Sequence, residues 1–128
     1  GHRIASVPGA SHYYKGSVTA YSNETKVQLL DVQEATINTH GAVSETTAKS
    51  MALGVAKTLS CDFAISTTGI AGPTGGTKEK PVGTVWIGFY LDGEVQAKRF
   101  HFTHDRIINI ERTATVAMYE LIRLMRKH

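Results

Sequence analysis

The chain has 128 residues, 41% of them hydrophobic, and a formal net charge of +3. This length is typical of one domain with a substantial core, and no run approaches the ~18 consecutive apolar residues of a membrane-spanning helix. The first residues do not have the pattern of a signal peptide. The single cysteine, Cys61, excludes an intramolecular disulfide. We therefore expect a cytoplasmic protein without a membrane partner, because free thiols are typical of reducing compartments.

The distribution of positive charge does not indicate a nucleic-acid-binding surface, and the spacing of the histidines does not indicate a metal site. Positive residues are scattered, apart from Arg123, Arg126 and Lys127. These fall in the last turn of a predicted helix, where cations interact favourably with the helix dipole, so we interpret them as a solvated helix end rather than a nucleic-acid patch. The six histidines show no HExxH spacing, and one cysteine offers no zinc framework. We predict no metal, no cofactor and no direct contact with nucleic acid.

The first third of the chain combines turns, one strand and short helices. Residues 1–6 resemble the tail of a helix, and the turn "VPGAS" follows. Residues 14–21 contain valine, alanine and two tyrosines and are predicted as a strand. Ser22 and Asn23 offer a cap for a helix at 24–30, and a second short helix is predicted at 33–40.

The rest of the chain alternates helices and apolar strands. The clearest helix is "VSETTAKSMALGVAKTL", capped by Ser44. The remaining predicted elements are strands at 62–67, 82–91 and 94–102 and a long helix at 105–127. The turn Asp92-Gly93 pairs the last two strands as an antiparallel hairpin. This order predicts an α/β domain of three layers, α/β/α, with a mixed sheet.

The segment "STTGIAGPTGGTKEKPVGTVWIGF" holds a glycine-rich loop between two strands. Such connections usually have ~2–6 residues, and this one, from Gly69 to Pro81, is longer. It leaves a strand at the end where open α/β sheets bind ligands, and glycine lets backbone N–H groups approach an anion closely. This favours a small anionic ligand such as a phosphate, with a flexible surface loop as the alternative. The pattern is neither a P-loop nor a GxGxxG turn that opens a helix, so it supports neither an ATPase nor a dinucleotide-binding protein.

A second cluster, "AYSNETKVQLL", places Lys26 about one helical turn after Tyr21. The positive end of the helix dipole disfavours a protonated lysine there by about 0.3–1 kcal/mol. Burial would have to lower the pKa of Lys26 further before its amine could act as a base near neutral pH. The alternative is a solvated surface lysine.

Together the two clusters resemble the C-terminal domain of the CinA family of competence/damage-inducible proteins. The matching pieces follow the family's order over essentially the whole chain: "VPGAS", "YYKGSVTAYSNETKVQLL", "HGAVSE", "STTGIAGPTGGTKEKPVGTVWIGF" and a basic, apolar helix after "FTHDR". The resemblance implies a bacterial amidase of pyridine nucleotide (NAD) recycling, which hydrolyses nicotinamide mononucleotide (NMN) to nicotinate mononucleotide and ammonia. It also implies a mixed, mostly parallel sheet of about five strands in the complete domain and a homodimer.

The resemblance further implies a metal-free mechanism with a serine nucleophile and a nearby lysine and tyrosine. Lys26 and Tyr21 match these two, and Thr68 matches a hydroxyl residue at the glycine loop. A serine hydroxyl is a poor nucleophile until a base takes its proton, and a neutral lysine can serve. Backbone N–H groups could hold the oxyanion. The substrate's phosphate is expected at loop residues Gly69, Gly72, Gly75, Gly76 and Thr77.

The sequence departs from the family at the nucleophile. In the family this serine lies in an "ESCTGG" turn, which the alignment places before Gly1. Ser11, Ser44 and Ser66 are predicted in a turn, a helix cap and a strand end, and are poor substitutes. We therefore expect residues 1–128 to be an inactive piece of a single CinA-like domain, without its N-terminal strand and catalytic turn. The alternatives are a catalytically silent nucleotide-binding module and an interaction domain associated with competence or DNA damage.

Overall fold

The computed structural model describes residues 1–127. Its elements in chain order are α1 (His2–Ala5), a 3₁₀ turn (Ala10–His12), α2 (Asn23–Leu30), α3 (Glu34–His40), α4 (Glu45–Leu59), β1 (Phe63–Gly69), β2 (Thr84–Leu91), β3 (Glu94–His101) and α5 (Arg106–Lys127). The predicted helices and the last three predicted strands are confirmed within about two residues at each end, which is the usual uncertainty of such boundaries. Within residues 1–127, no helix is long and apolar enough to cross a bilayer.

Side-chain caps fix where the longer helices begin. The hydroxyl of Ser22 accepts a hydrogen bond from the backbone N–H of Thr25 at 3.1 Å, and that of Ser44 accepts from Thr47 N–H at 3.2 Å. At the start of α5, the Asp105 carboxylate accepts from the backbone N–H three residues on, at 3.0 Å. Caps of this kind typically contribute about 1 kcal/mol each. They hold the starts of α2 and α5 in place, and both ends lie at the candidate site.

The sheet has the order β1-β2-β3, and both pairs are antiparallel. The β2–β3 hairpin is confirmed, with Asp92 and Gly93 at positive φ (48° and 99°) in its turn. The expected mixed, mostly parallel sheet of about five strands is not confirmed, because residues 1–127 form three strands only. The strand predicted at 14–21 is wrong for the same part of the chain. A strand needs a neighbour for its backbone groups, and residues 15–20 have no backbone hydrogen bond to any residue of 1–127.

Helices cover both faces of the sheet. On one face, β1 and β2 lie directly against α4: the Ser66 hydroxyl donates to the Ala48 carbonyl at 2.7 Å. A Cβ at Gly88 would lie 2.2 Å from the same carbonyl oxygen, so only glycine permits this approach. On the other face, alternate residues of β2 pack with Ala117 of α5 in one core cluster: Val85, Ile87, Phe89 and Leu91. The predicted layer order is therefore present around the three strands.

A second apolar cluster joins α2 to α4. Its buried members are Leu30, Val32 and Met51, with Val18 and Ala20 packed against them. The cluster holds α2 on the outer side of α4 and buries the inner surface of this short helix. Lys26 lies on α2 and is buried with it.

Candidate functional site

Lys26 is a buried amine near the start of α2. The residue is 7% exposed, and its Nζ donates to the backbone carbonyl of Tyr21 at 3.2 Å. Burial lowers the pKa of Lys26 from its ordinary value, because the charged form loses hydration. The alternative of a solvated surface lysine is therefore wrong. The structure supplies the burial that the sequence left open, and with it an amine better suited to accept a proton.

Tyr21 lies beside Lys26 in the chain but presents its ring to solvent. The residue is 82% exposed, and its phenol oxygen accepts a hydrogen bond from Nη2 of Arg106 at 3.4 Å. The hydrogen bond between Tyr21 and Lys26 therefore runs through the tyrosine carbonyl, and the phenol faces α5. Tyr21 links the start of α2 to the start of α5.

The hydroxyls of β1 are used to hold the sheet against its neighbours. Thr68 is buried, and its Oγ1 donates to the Ala42 carbonyl at 2.8 Å. Ser66 is likewise buried, and its hydroxyl donates to Ala48. Neither hydroxyl is hydrogen-bonded to Lys26. Both side chains thus have structural partners, as expected for Ser66, and a direct chemical role for Thr68 stays a prediction.

The predicted loop glycines fall into two groups, and Thr77 stands apart from both. Gly69 and Gly76 are packing positions, because a Cβ would lie 2.8 Å from Val85 Cγ2 at the first and 2.6 Å from a backbone nitrogen at the second. Gly72 and Gly75 have positive φ, 95° and 96°, which favours glycine whatever the space. Thr77 closes a turn with Lys80, whose N–H donates to its hydroxyl at 3.0 Å. The loop is thus an ordered structure rather than a chain of freely placed glycines.

The backbone of the loop offers hydrogen-bond donors to an anion. The carbonyl of Ala71 accepts from Nδ2 of Asn109 at 3.0 Å, and that of Gly72 accepts from Nη1 of Arg106 at 2.9 Å. Several backbone N–H groups of the same loop have no acceptor within residues 1–127: those of Ala71, Gly72, Thr74, Gly75 and Gly76. The loop therefore offers backbone N–H donors without an acceptor, as a backbone anion site would, although the carbonyls of residues 73–76 are likewise without a donor in the described chain.

Arg106 and Asn109 were not singled out from the sequence as site residues. Asn109 is 1% exposed. Besides Ala71, its side chain contacts the backbone of His104, donating to the carbonyl at 2.8 Å and accepting from the N–H at 3.1 Å. A buried asparagine on a helix needs such partners, so an asparagine among the apolar positions of the predicted helix was the signal available.

Lys80, near the end of the glycine-rich loop, is directed towards α3. Nζ of Lys80 donates to the His40 carbonyl at 2.8 Å and ties the loop to the end of α3. Within residues 1–127, no group of three or more His, Cys, Asp or Glu side chains is arranged to hold a metal ion. One of the six histidines, His128, lies outside the described residues.

Comparison with known proteins gives one consistent family. A family model described as the CinA C-terminal domain matches residues 1–125. A CinA-like protein of Salinibacter ruber is 51% identical over 125 residues, covering 98% of this chain and 30% of the relative. A CinA-like protein of Petrotoga mobilis is 47% identical over 124 residues, covering 97% of this chain and 31% of the relative. The chain thus spans about a third of the length of these relatives.

Solved structures give the same family. A competence-damaged protein (CinA) superfamily protein from Klebsiella pneumoniae superposes with a TM-score of 0.95 at 29% identity, covering 99% of this chain and 79% of that one. The competence/damage inducible protein CihA from Agrobacterium tumefaciens superposes with a TM-score of 0.90 at 35% identity, covering 97% and 79%.

Proposed function

Because the chain belongs to the CinA C-terminal domain family, we propose that it is the amidase part of an enzyme that hydrolyses NMN to nicotinate mononucleotide and ammonia. The observation that carries the proposal is the buried amine of Lys26, whose pKa burial lowers. A lysine base must be neutral to accept a proton, and desolvation favours that form. The bacterial cytoplasm and a homodimer, predicted above, belong to the same proposal.

The proposed reaction proceeds through an acyl-enzyme. The family's serine, which the resemblance places before Gly1, attacks the carboxamide carbon while Lys26 takes the hydroxyl proton. The tetrahedral intermediate carries an oxyanion that backbone N–H groups stabilise. The protonated lysine then gives its proton to the departing ammonia, and water hydrolyses the ester with Lys26 again as base. Tyr21 and Thr68 remain the other proposed catalytic side chains.

The glycine loop is proposed to hold the phosphate of the substrate. Support comes from its N–H groups without an acceptor in the described chain, at Ala71, Gly72, Thr74, Gly75 and Gly76. Phosphate oxygens accept such hydrogen bonds without a side chain in the way.

A second candidate is a catalytically silent nucleotide-binding or competence-associated interaction domain. One observation favours it for residues 1–127 alone: the Lys26 amine is bonded to a backbone carbonyl and to no hydroxyl. The same loop would then bind a nucleotide without turnover. Ammonia release separates the two functions directly.

The test measures ammonia release from NMN by the full-length protein. Lys26→Ala should lower kcat by about 10²–10⁴-fold, the usual contribution of a general base, while affinity for nicotinate mononucleotide changes by only a few-fold. Lys57→Ala is the matched control, because Lys57 is an exposed helical lysine whose side chain has no hydrogen bond or ion pair in the described chain. Near-normal turnover by Lys26→Ala would remove the lysine from the base role. No ammonia from the wild-type protein would exclude the amidase function, and residues 1–128 alone should release none.

A further inference from the structure

Arg106 joins the two halves of the candidate site. It is the first residue of α5, and its guanidinium donates to the Gly72 carbonyl at 2.9 Å and to the Tyr21 phenol at 3.4 Å. One contact lies in the glycine loop and the other beside Lys26. No other side chain within residues 1–127 hydrogen-bonds both segments.

Several N–H groups of the Arg106 guanidinium have no partner in the described chain. An arginine side chain carries five N–H groups, and Arg106 uses its two terminal nitrogens for one protein contact each. The residue is exposed, and its remaining donors have no acceptor within residues 1–127. A planar fork of charged donors matches the geometry of a phosphate.

Several cations lie around the loop, and they differ in what they contact. Arg99 donates to the Glu79 carbonyl at 3.0 Å, and Lys78 is exposed outside the 70–76 part of the loop. Burial disfavours the cationic form of Lys26, and Lys80 is bonded to the carbonyl of His40. The neighbouring carboxylate of Asp105 accepts from the N–H of Ile108 as the helix cap. Arg106 is therefore the cation that contacts the 70–76 part of the loop within the described chain.

Asn109 fixes the position of the loop relative to Arg106. Its side chain binds the Ala71 carbonyl and both backbone groups of His104. The loop start and the first turn of α5 are thereby fixed to each other, one residue away from the Arg106–Gly72 contact. A preorganised donor set binds an anion with less loss of conformational freedom.

We propose that Arg106 binds the substrate's phosphate together with the loop N–H groups, and so determines the preference for a nucleotide over a nucleoside. This rests on the proposed function, since it assigns a phosphate-binding residue to the same site. Arg106 is a binding and specificity-determining residue, and the carboxamide chemistry stays with the other groups.

The test compares NMN with nicotinamide riboside, which lacks the phosphate, using the full-length protein and its Arg106→Gln variant. We expect the variant to raise KM for NMN at least tenfold, the scale of a lost charge-assisted contact, with kcat changed by about threefold or less. The kcat/KM for the riboside should be unchanged. Arg106→Lys should restore part of the affinity, and inorganic phosphate should inhibit the wild-type protein competitively but the Gln variant weakly.

Arg112→Gln is the control, because Arg112 is exposed on the same helix without a hydrogen bond or ion pair. Equal losses for both substrates in Arg106→Gln would overturn the proposal and leave Arg106 as a support for the loop. Should the wild-type protein release no ammonia, calorimetry with nicotinate mononucleotide still decides the point. Binding lost in Arg106→Gln and kept in Arg112→Gln supports the phosphate role, whereas equal affinity, or no binding to the wild-type protein, refutes it.

Discussion

Replacing Asn109 with leucine should destabilise the protein by about 2–4 kcal/mol. Leucine has the same branching at Cγ but is larger, so overpacking adds to the loss of three hydrogen bonds, to the Ala71 carbonyl and to both backbone groups of His104. Net hydrogen bonds contribute about 0.5–1.5 kcal/mol each, and a buried group left without a partner costs about 1–3 kcal/mol. Ala71 is half-buried and His104 is exposed, so water partly replaces the lost partners and the estimate stays at the lower end of that sum.

Urea unfolding followed by circular dichroism measures this change, and hydrogen exchange of the hydrogen-bonded loop amides, those of Ile70, Thr77 and Gly83, measures its local part. The expected loss is a large share of the ~5–15 kcal/mol that stabilises a typical domain, and exchange in the loop should accelerate more than in β2. Asn38→Leu is the control, because Asn38 lies exposed on α3 without a hydrogen-bond partner in the described chain. A loss of unfolding free energy below about 0.5 kcal/mol, the range of an ordinary surface substitution, would refute the inference that Asn109 holds the loop against the start of α5.

Three further changes have defined outcomes. Gly88→Ala should destabilise by more than about 3 kcal/mol in urea unfolding, as expected for severe overpacking, because its Cβ would lie 2.2 Å from the Ala48 carbonyl oxygen; a loss under 1 kcal/mol would contradict this. Lys26→Met should stabilise the protein at pH 7, since burial lowers the folded-state pKa and the unfolded chain binds more protons. The stability of the wild-type protein should then rise with pH up to the ordinary lysine pKa near 10.5. The stability advantage of Lys26→Met should therefore shrink by pH 10, whereas an advantage that does not change with pH would refute desolvation of the lysine as its cause. Gly75→Val should raise KM for NMN about tenfold or more, because φ at Gly75 is 96°, which valine rarely adopts. A Cβ there would lie 3.5 Å from Ile70 Cγ2, which is an ordinary contact. An equal effect on nicotinamide riboside would show that the loop supports the fold rather than the phosphate.

Local sequence patterns predicted the helices and three of the strands, whereas the strand order and direction in the sheet depend on long-range contacts. Ser22 and Ser44 mark helix starts that the structure keeps, and the Asp92-Gly93 turn fixes the hairpin. Strand direction depends on which segments meet, and no local pattern records this. Residues 14–21 therefore looked like a strand, although they pair with no strand in the described chain.

The long helix shows a second limit. In its first turns the structure buries Asn109 and leaves the isoleucines on either side of it, Ile108 and Ile110, 38% and 52% exposed. Asn109 is buried because its amide is hydrogen-bonded to the Ala71 carbonyl and to the backbone of His104. Hydrophobic periodicity does not predict a polar contact of this kind.

The candidate site was predictable where its residues are close in the chain. Tyr21 and Lys26 are five residues apart, and the helix cap between them is visible in the sequence. The burial of Lys26 depends on how α2 packs against α4. The Arg106–Tyr21 contact joins residues 85 positions apart, and one sequence contains no record of that distance.

The open side of β1 has a consequence for the site. β1 has a strand neighbour only at β2 within the described chain, and it is also the strand from which the glycine loop departs at Gly69. A strand edge is a template that extended segments join through their backbones. Any segment that joins β1 would stiffen the stem of the loop, and with it the spacing between the loop donors and Lys26.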